Sequence, residues 1–121
     1  SELTHDEESI SYDTKITRGL DLMTGYSKCT KLGEGKIYVG GTTIARHEVD
    51  SIQIVVIVER AKEEDTEWSY YDDWRKENLN MNRVTSNRTL YVEGDYYYRV
   101  RCIHVANSDM SSSFTDGIYI E

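Results

Sequence analysis

Cys102 and His104 stand two residues apart in the segment Tyr96-Tyr-Tyr-Arg-Val-Arg-Cys-Ile-His-Val-Ala106. On an extended strand that spacing sets both side chains on one face, as an imidazole-activated thiol or half a metal site would need. The plainer alternative is a disulfide cysteine beside a strand-end histidine. The three histidines (His5, His47, His104) and two cysteines (Cys29, Cys102) show no zinc-like spacing. No metal and no other cofactor is expected. Two cysteines allow one bridge, Cys29–Cys102, and the alternative is two separate buried thiols that pack as small hydrophobes.

Carboxylates gather at Glu63, Glu64, Asp65 and Glu67 and again at Asp72 and Asp73. Such a group could hold Ca²⁺ in a loop, or hydrolyse a glycoside with Asp72 or Asp73 acting beside Glu67. The Asp-x-Asp-x-Asp-Gly spacing of a calcium loop is missing, and solvated loop charge accounts for the same residues. Serines are plentiful, but no Gly-x-Ser-x-Gly elbow presents one, and inventory alone does not make a Ser/His/Asp triad. Gly40-Gly41 is followed by no helix and no Lys-Ser/Thr, so it is not read as a phosphate loop. Two glycines inside a strand pattern predict a bulge or a close backbone approach. No residue is assigned a catalytic role.

Aromatic side chains offer more. Trp68, Tyr70, Tyr71 and Trp74 crowd one stretch, while Tyr97 and Tyr119 project from their strands opposite the expected core face. These six are the candidate ligand-binding residues, since exposed rings stack on sugars or anchor a protein partner. The alternative has Trp68, Tyr70 and Trp74 plugging one end of the core, and Tyr97 paired with Tyr119 across a hairpin with Arg99 alongside.

The elements that must position these groups read as strands. Alternation over residues 96–106 places Tyr96, Tyr98, Val100 and Cys102 inward and Tyr97, Arg99 and Arg101 toward water. After a turn at Asn107-Ser108-Asp109, a second strand places Phe114, Ile118 and Ile120 inward, with Thr115 and Tyr119 opposite. Residues 51–61 form the clearest central strand, apolar on both faces as if both were covered. Residues 15–23, 26–32, 36–45 and 88–92 add further strands. Residues 67–74 alternate, with Trp68, Tyr70 and Trp74 on one side and Ser69, Tyr71 and Asp73 on the other, and residues 75–86 read as a polar connection. A short helix over residues 72–78 is conceivable, though no 3.6-residue period is sustained there. Strands about ten residues apart with polar turns predict an all-β, antiparallel two-sheet sandwich.

The 121 residues are one domain's worth of chain. Residues 1–14 read as a polar, acidic tail and residues 15–121 as a single β-sandwich domain. β-branched and aromatic residues outnumber leucine, and with no proline the turns fall to Gly, Asn, Asp and Ser. The net charge of −8 argues against nucleic acid and against anionic membranes. The longest apolar run, Ile54-Val-Val-Ile-Val58, is far short of a membrane helix. A chain that starts at Ser1 reads as a processed or trimmed product, one source being a removed secretion signal.

The run Leu90-x-Val92-x-Gly94-x-Tyr96-x-Tyr98-x-Val100-x-Cys102 resembles the passage between the fifth and sixth strands of fibronectin type III and immunoglobulin-like domains. That resemblance implies that Tyr96 is a corner tyrosine whose hydroxyl bonds to upstream backbone. The segments GYSKC, W-SYYD-W and GDYYYRVRC also make the chain similar to small exported proteins of Gram-positive Firmicutes. This second resemblance implies a secreted or cell-surface location and brings no activity with it. The expectation is a non-enzymatic exported binding module for a protein or glycan. The alternatives are a self-associating envelope or secreted protein and, third, the carboxylate hydrolase.

Overall fold

The structure, a computed structural model, describes residues 1–16 and 19–121. Nine strands follow in order: β1 (Leu3–Thr4), β2 (Glu8–Tyr12), β3 (Lys15–Ile16), β4 (Leu22–Gly33), β5 (Lys36–Ala61), β6 (Ser69–Tyr91), β7 (Tyr96–Ala106), β8 (Asp109–Phe114) and β9 (Gly117–Ile120). No helix occurs among the described residues, and residues 72–78 lie within β6. Of the strand expected over residues 15–23, β3 takes the start and β4 the end, and residues 17 and 18 lie outside the described residues.

β5 makes the fold. The sequence reads two strands in its span, yet it runs for 26 residues without interruption. Its first half pairs with β4 on one side and with the second half of β6 on the other. Its second half pairs with β7 and with the first half of β6. Between Ile44 and Val49 the register against β6 shifts, and the strand bends there. Where the sequence predicts two sheets, backbone ladders therefore join all nine strands into one curled sheet. All pairings are antiparallel except that of β1 with β9.

The two arms of the curl enclose the core. Ile37 and Val39 come from the first half of β5, Ile52, Ile54, Val56 and Val58 from the second, and Tyr98, Val100 and Cys102 from β7, all 0 % exposed. The expected approach at the glycine pair is present. A methyl group at Gly40 would lie 2.0 Å from the Ser86 carbonyl oxygen of β6, and one at Gly41 would lie 2.2 Å from that of Tyr26 in β4.

Several expectations need correcting. The segment read as a tail is pinned along its length: β1 lies beside β9 and β2 beside β4. The polar stretch 75–86 is strand, part of the 23-residue β6. Phe114 points outward and is 47 % exposed, while Thr115 is buried. The cause is one inserted residue: Arg101 pairs with Phe114 but Tyr98 with Ile118, three steps along β7 against four along β8 and β9. That bulge exchanges the faces between the two strands, so Ile118 and Ile120 are buried as expected. The corner hydroxyl belongs to Tyr98, which donates to the Glu93 carbonyl at 2.5 Å, and Tyr96 is half-buried beside the core. Tyr97, expected in water, is buried beneath His5 and Tyr119. The outer faces of Val55 and Ile57 are only half-buried, not sealed.

Gly40→Ala is expected to lower unfolding free energy by about 2–3 kcal/mol, since β6 cannot retreat from the added methyl without breaking its ladder. Urea titration at neutral pH measures this.

Candidate functional site

The Cys102–His104 pair faces inward, and both residues are 0 % exposed. The Cys102 thiol points to the Gly40 carbonyl at 3.7 Å, and the Cys29 thiol to that of Tyr98 at 3.7 Å. The expected bridge is absent: both cysteines are free, on strands of different arms, with their sulfurs directed to different carbonyls. Burial pushes both thiols up to about 12, which suits inert packing groups and not an activated nucleophile.

His104 lies in a closed hydrogen-bond chain. Its Nδ1 is 2.8 Å from Thr43 Oγ1, and its Nε2 is 2.8 Å from Ser113 Oγ. Thr43 Oγ1 gives its own hydrogen to the Gln53 carbonyl at 3.0 Å, so it accepts from Nδ1–H. Nε2 is then the acceptor for the Ser113 hydroxyl, and Ser113 Oγ in turn lies 2.6 Å from Ser27 Oγ. The ring packs directly on Gly25, where a methyl group would overlap it at 2.3 Å. A serine hydrogen-bonded to an imidazole is the geometry of a base-assisted nucleophile. Here the second ring nitrogen meets a threonine in place of a carboxylate, and Ser113 is only 2 % exposed. Burial, only partly opposed by Asp13, lowers the His104 pKa to about 4.

The polar chain continues toward the surface. The inward side chains of β8 are Asp109, Ser111 and Ser113, with Thr115 just beyond, all buried. Ser111 donates to Asp13 at 2.6 Å, and Thr24 donates to the other Asp13 oxygen at 2.7 Å. Asp109 accepts the Leu22 and Asp21 amides, which hold its carboxyl below the usual range. No buried side-chain nitrogen or oxygen among the described residues lacks a partner.

The six candidate aromatics do not share one face. Trp74 and Tyr97 are buried at 8 % and 5 % exposure. Trp74 donates to Ser86 Oγ at 2.9 Å and is capped by Arg88. Tyr97 and Tyr119 are direct cross-strand partners with ring centroids 5.0 Å apart. Tyr71 packs on the core beneath Arg60. A register shift against Val58 and Glu59 leaves Tyr71 without an opposite residue, which turns it inward and Tyr70 outward, 64 % exposed. Trp68 is half-buried, with the Arg99 guanidinium 4.7 Å from its ring.

Arg99 joins Trp68 to a residue that alternation had placed inside. Its guanidinium also lies 5.6 Å from the Phe114 ring, and Glu59 holds it at 2.8 Å. Trp68, Arg99 and Phe114 thus form a row on the outer surface, with a cleft at each end. At the Trp68 end a cleft of about 190 Å³ is lined by Leu3, Lys62, Asp65, Thr66 and Glu67. At the Phe114 end a cleft of about 270 Å³ opens between β2 and β8, lined by Ser11, Tyr12, Thr14, Ser112, Ser113 and Asp116. Tyr12 is 58 % exposed there. The Trp68 cleft brings Glu67 together with Asp65 and includes neither Asp72 nor Asp73. Asp73 accepts the Tyr70 hydroxyl at 3.1 Å. Among the described residues no three His, Cys, Asp or Glu side chains gather as a metal site.

The sequence reading missed Tyr12 and Phe114 as surface groups; it placed Arg99 toward water, but beside Tyr97 and Tyr119 and not between Trp68 and Phe114. The signal available was the run Asp109-Met-Ser-Ser-Ser-Phe114, which alternates either way and gives no apolar face to choose.

No family model matches the chain, and no curated protein matches it in sequence. Among solved structures it is similar to the solution structure of CsgH from R. palustris, at 14 % identity over 88 % of this chain and 91 % of that one, with a TM-score of 0.44.

Two outcomes are expected. The His104 imidazole should titrate near pH 4 by NMR. Above about pH 6.5 the ring is neutral in both the folded and the unfolded chain, and its environment brings no pH dependence. As pH falls, the unfolded chain takes the proton first, so about 3 kcal/mol of stability is lost between about pH 6.5 and pH 4. The second outcome concerns thiols: none should react with a disulfide reagent in the native protein, and two should react in denaturant without reductant.

Proposed function

We propose that this chain is a non-catalytic, exported binding module of immunoglobulin- or fibronectin type III-like architecture, and that it takes a glycan at the cleft between Tyr12 and Phe114. One observation carries the reading: two rings, 58 % and 47 % exposed, flank a cleft that offers the hydroxyls of Ser11, Thr14 and Ser112 and the Asp116 carboxylate, the Ser113 hydroxyl being turned inward to His104. Sugar rings present apolar C–H faces edged by hydroxyl groups. Aromatic faces match the first, and hydroxyls with a carboxylate match the second.

The interior supports a passive role. The imidazole and both thiols are sealed from solvent, and each has a hydrogen-bond partner inside the protein. The Tyr98 corner and the hairpin of β7 and β8 support the architecture. Export rests on the sequence resemblance to exported Firmicutes proteins.

Glycan-array screening followed by calorimetry tests the proposal. Phe114→Ala and Tyr12→Ala should each weaken binding by about tenfold, the loss of roughly 1–1.5 kcal/mol of ring contact, with the unfolding midpoint unchanged. A chain that binds no glycan, or whose binding survives both substitutions together, overturns it. In that second case, retained binding in Trp68→Ala would also remove the cleft at the other end of the row.

A further inference from the structure

β6 pairs with β5 and with no other strand among the described residues, so one edge along its 23 residues has no backbone ladder. The strand folds at Asn80, whose φ of 55° breaks the extended run, and its two halves fall on opposite arms of the curl. Side chains span the seam between them. Trp74 reaches Ser86 Oγ, Lys76 reaches the Thr85 carbonyl at 3.1 Å, and Asn78 reaches the Arg83 carbonyl at 3.0 Å. An unpaired edge of this length is a template for another strand.

Its charges are arranged for a copy of itself. With a twofold axis parallel to the strands, the first half of β6 in one copy lies antiparallel to the second half in the other, on both arms at once. In the register centred on Asn80, Asp72 faces Arg88 of the second copy, Glu77 faces Arg83, and Leu79 faces Met81; symmetry repeats each pair. Arg83 and Arg88 form no ion pair among the described residues. Leu79 and Met81 are 62 % and 47 % exposed. Centring on Leu79 instead opposes Arg75 to Arg83, and centring on Asn82 opposes Lys76 to Arg88. Centring on Met81 gives neither Arg83 nor Arg88 a carboxylate. Opposite charges directly across a ladder stabilise it and like charges oppose it.

We infer that a second copy of this chain docks along β6, giving a symmetric dimer in which both arms of the curled sheet continue from one molecule into the other. An isologous contact of this kind closes on itself and uses the whole edge. It also leaves the Phe114 cleft, on the β2–β8 side, open for a ligand.

Sedimentation equilibrium from micromolar to millimolar concentration tests the inference. The unaltered chain should sediment as a dimer at the upper concentrations, less so in high salt. Glu77→Arg and Arg83→Glu should each give a monomer. Both side chains are exposed, and the one side-chain bond lost among the described residues is that which Glu77 accepts from the Ser51 hydroxyl, so the unfolding midpoint should change little. The double variant, in which the charges are exchanged, should recover the dimer. If either single variant loses stability, Glu77→Gln and Arg83→Gln replace them, and both should weaken association. A monomer at every concentration, single variants that still dimerise, or a double variant that does not recover would each overturn the inference. Phe114→Ala should leave the dimer intact, so failure of the glycan reading does not touch this one.

Discussion

A single strand that must hydrogen-bond on both edges in both arms of the fold governs this protein. β5 takes β4 and β6 as neighbours before its bend, and β6 and β7 after it. Its inward residues therefore supply core to both arms, and the registers of β4, β6 and β7 are all referred to one backbone. Two local features make that possible. The glycine pair lets β4 and β6 approach where a β-carbon would collide, and the register shift after Ile44 turns the strand without ending it. The bend transmits to β6, which folds at Asn80 opposite it.

A sheet curled in this way but not closed by backbone bonds has two seams, and side chains fill each differently. Between β2 and β8 the filling is polar: Asp13 binds Ser111 and Thr24, and the Asp116 amide donates to Ser9. That polarity runs inward through Ser113 to His104. Such a chain is stable only because every member has a partner, since an unpaired polar group in this interior would be costly. Between the halves of β6 the filling is aromatic and long-chained, with Trp74 under Arg88 and Tyr71 under Arg60. Four of the six candidate rings, Trp74 and Tyr71 at this seam and Tyr97 and Tyr119 against His5, are taken up in packing, which is why the six do not form one exposed face.

Seams are also where the surface has unused capacity. The polar seam ends in an open cleft with two exposed rings, and the β6 seam ends in a long edge with unmatched charges. Both follow from the same cause: β5 spans two arms, and among the described residues no further strand completes the curl on either side.

Much of this was legible in the residues. Strand character, the strand of residues 96–106, the core faces of Val100 and Cys102, the close approach at Gly40-Gly41 and the Tyr97–Tyr119 pair all follow from period-two alternation and turn chemistry, which are local. The face of Phe114, the identity of the corner tyrosine, the state of the cysteines and the strand nature of residues 75–86 were not. Alternation assigns faces only within an unbroken ladder, and each bulge, as at Thr115-Asp116 or Tyr71, exchanges them beyond it. An edge strand with a polar sequence shows no apolar period to read. Whether Tyr97 meets water or His5 depends on where a segment more than ninety residues away is pinned. Local pattern determined that the chain would be sheet; contacts between distant segments decided which side of that sheet became interior, because burial is a property of what lies opposite and not of the residue itself.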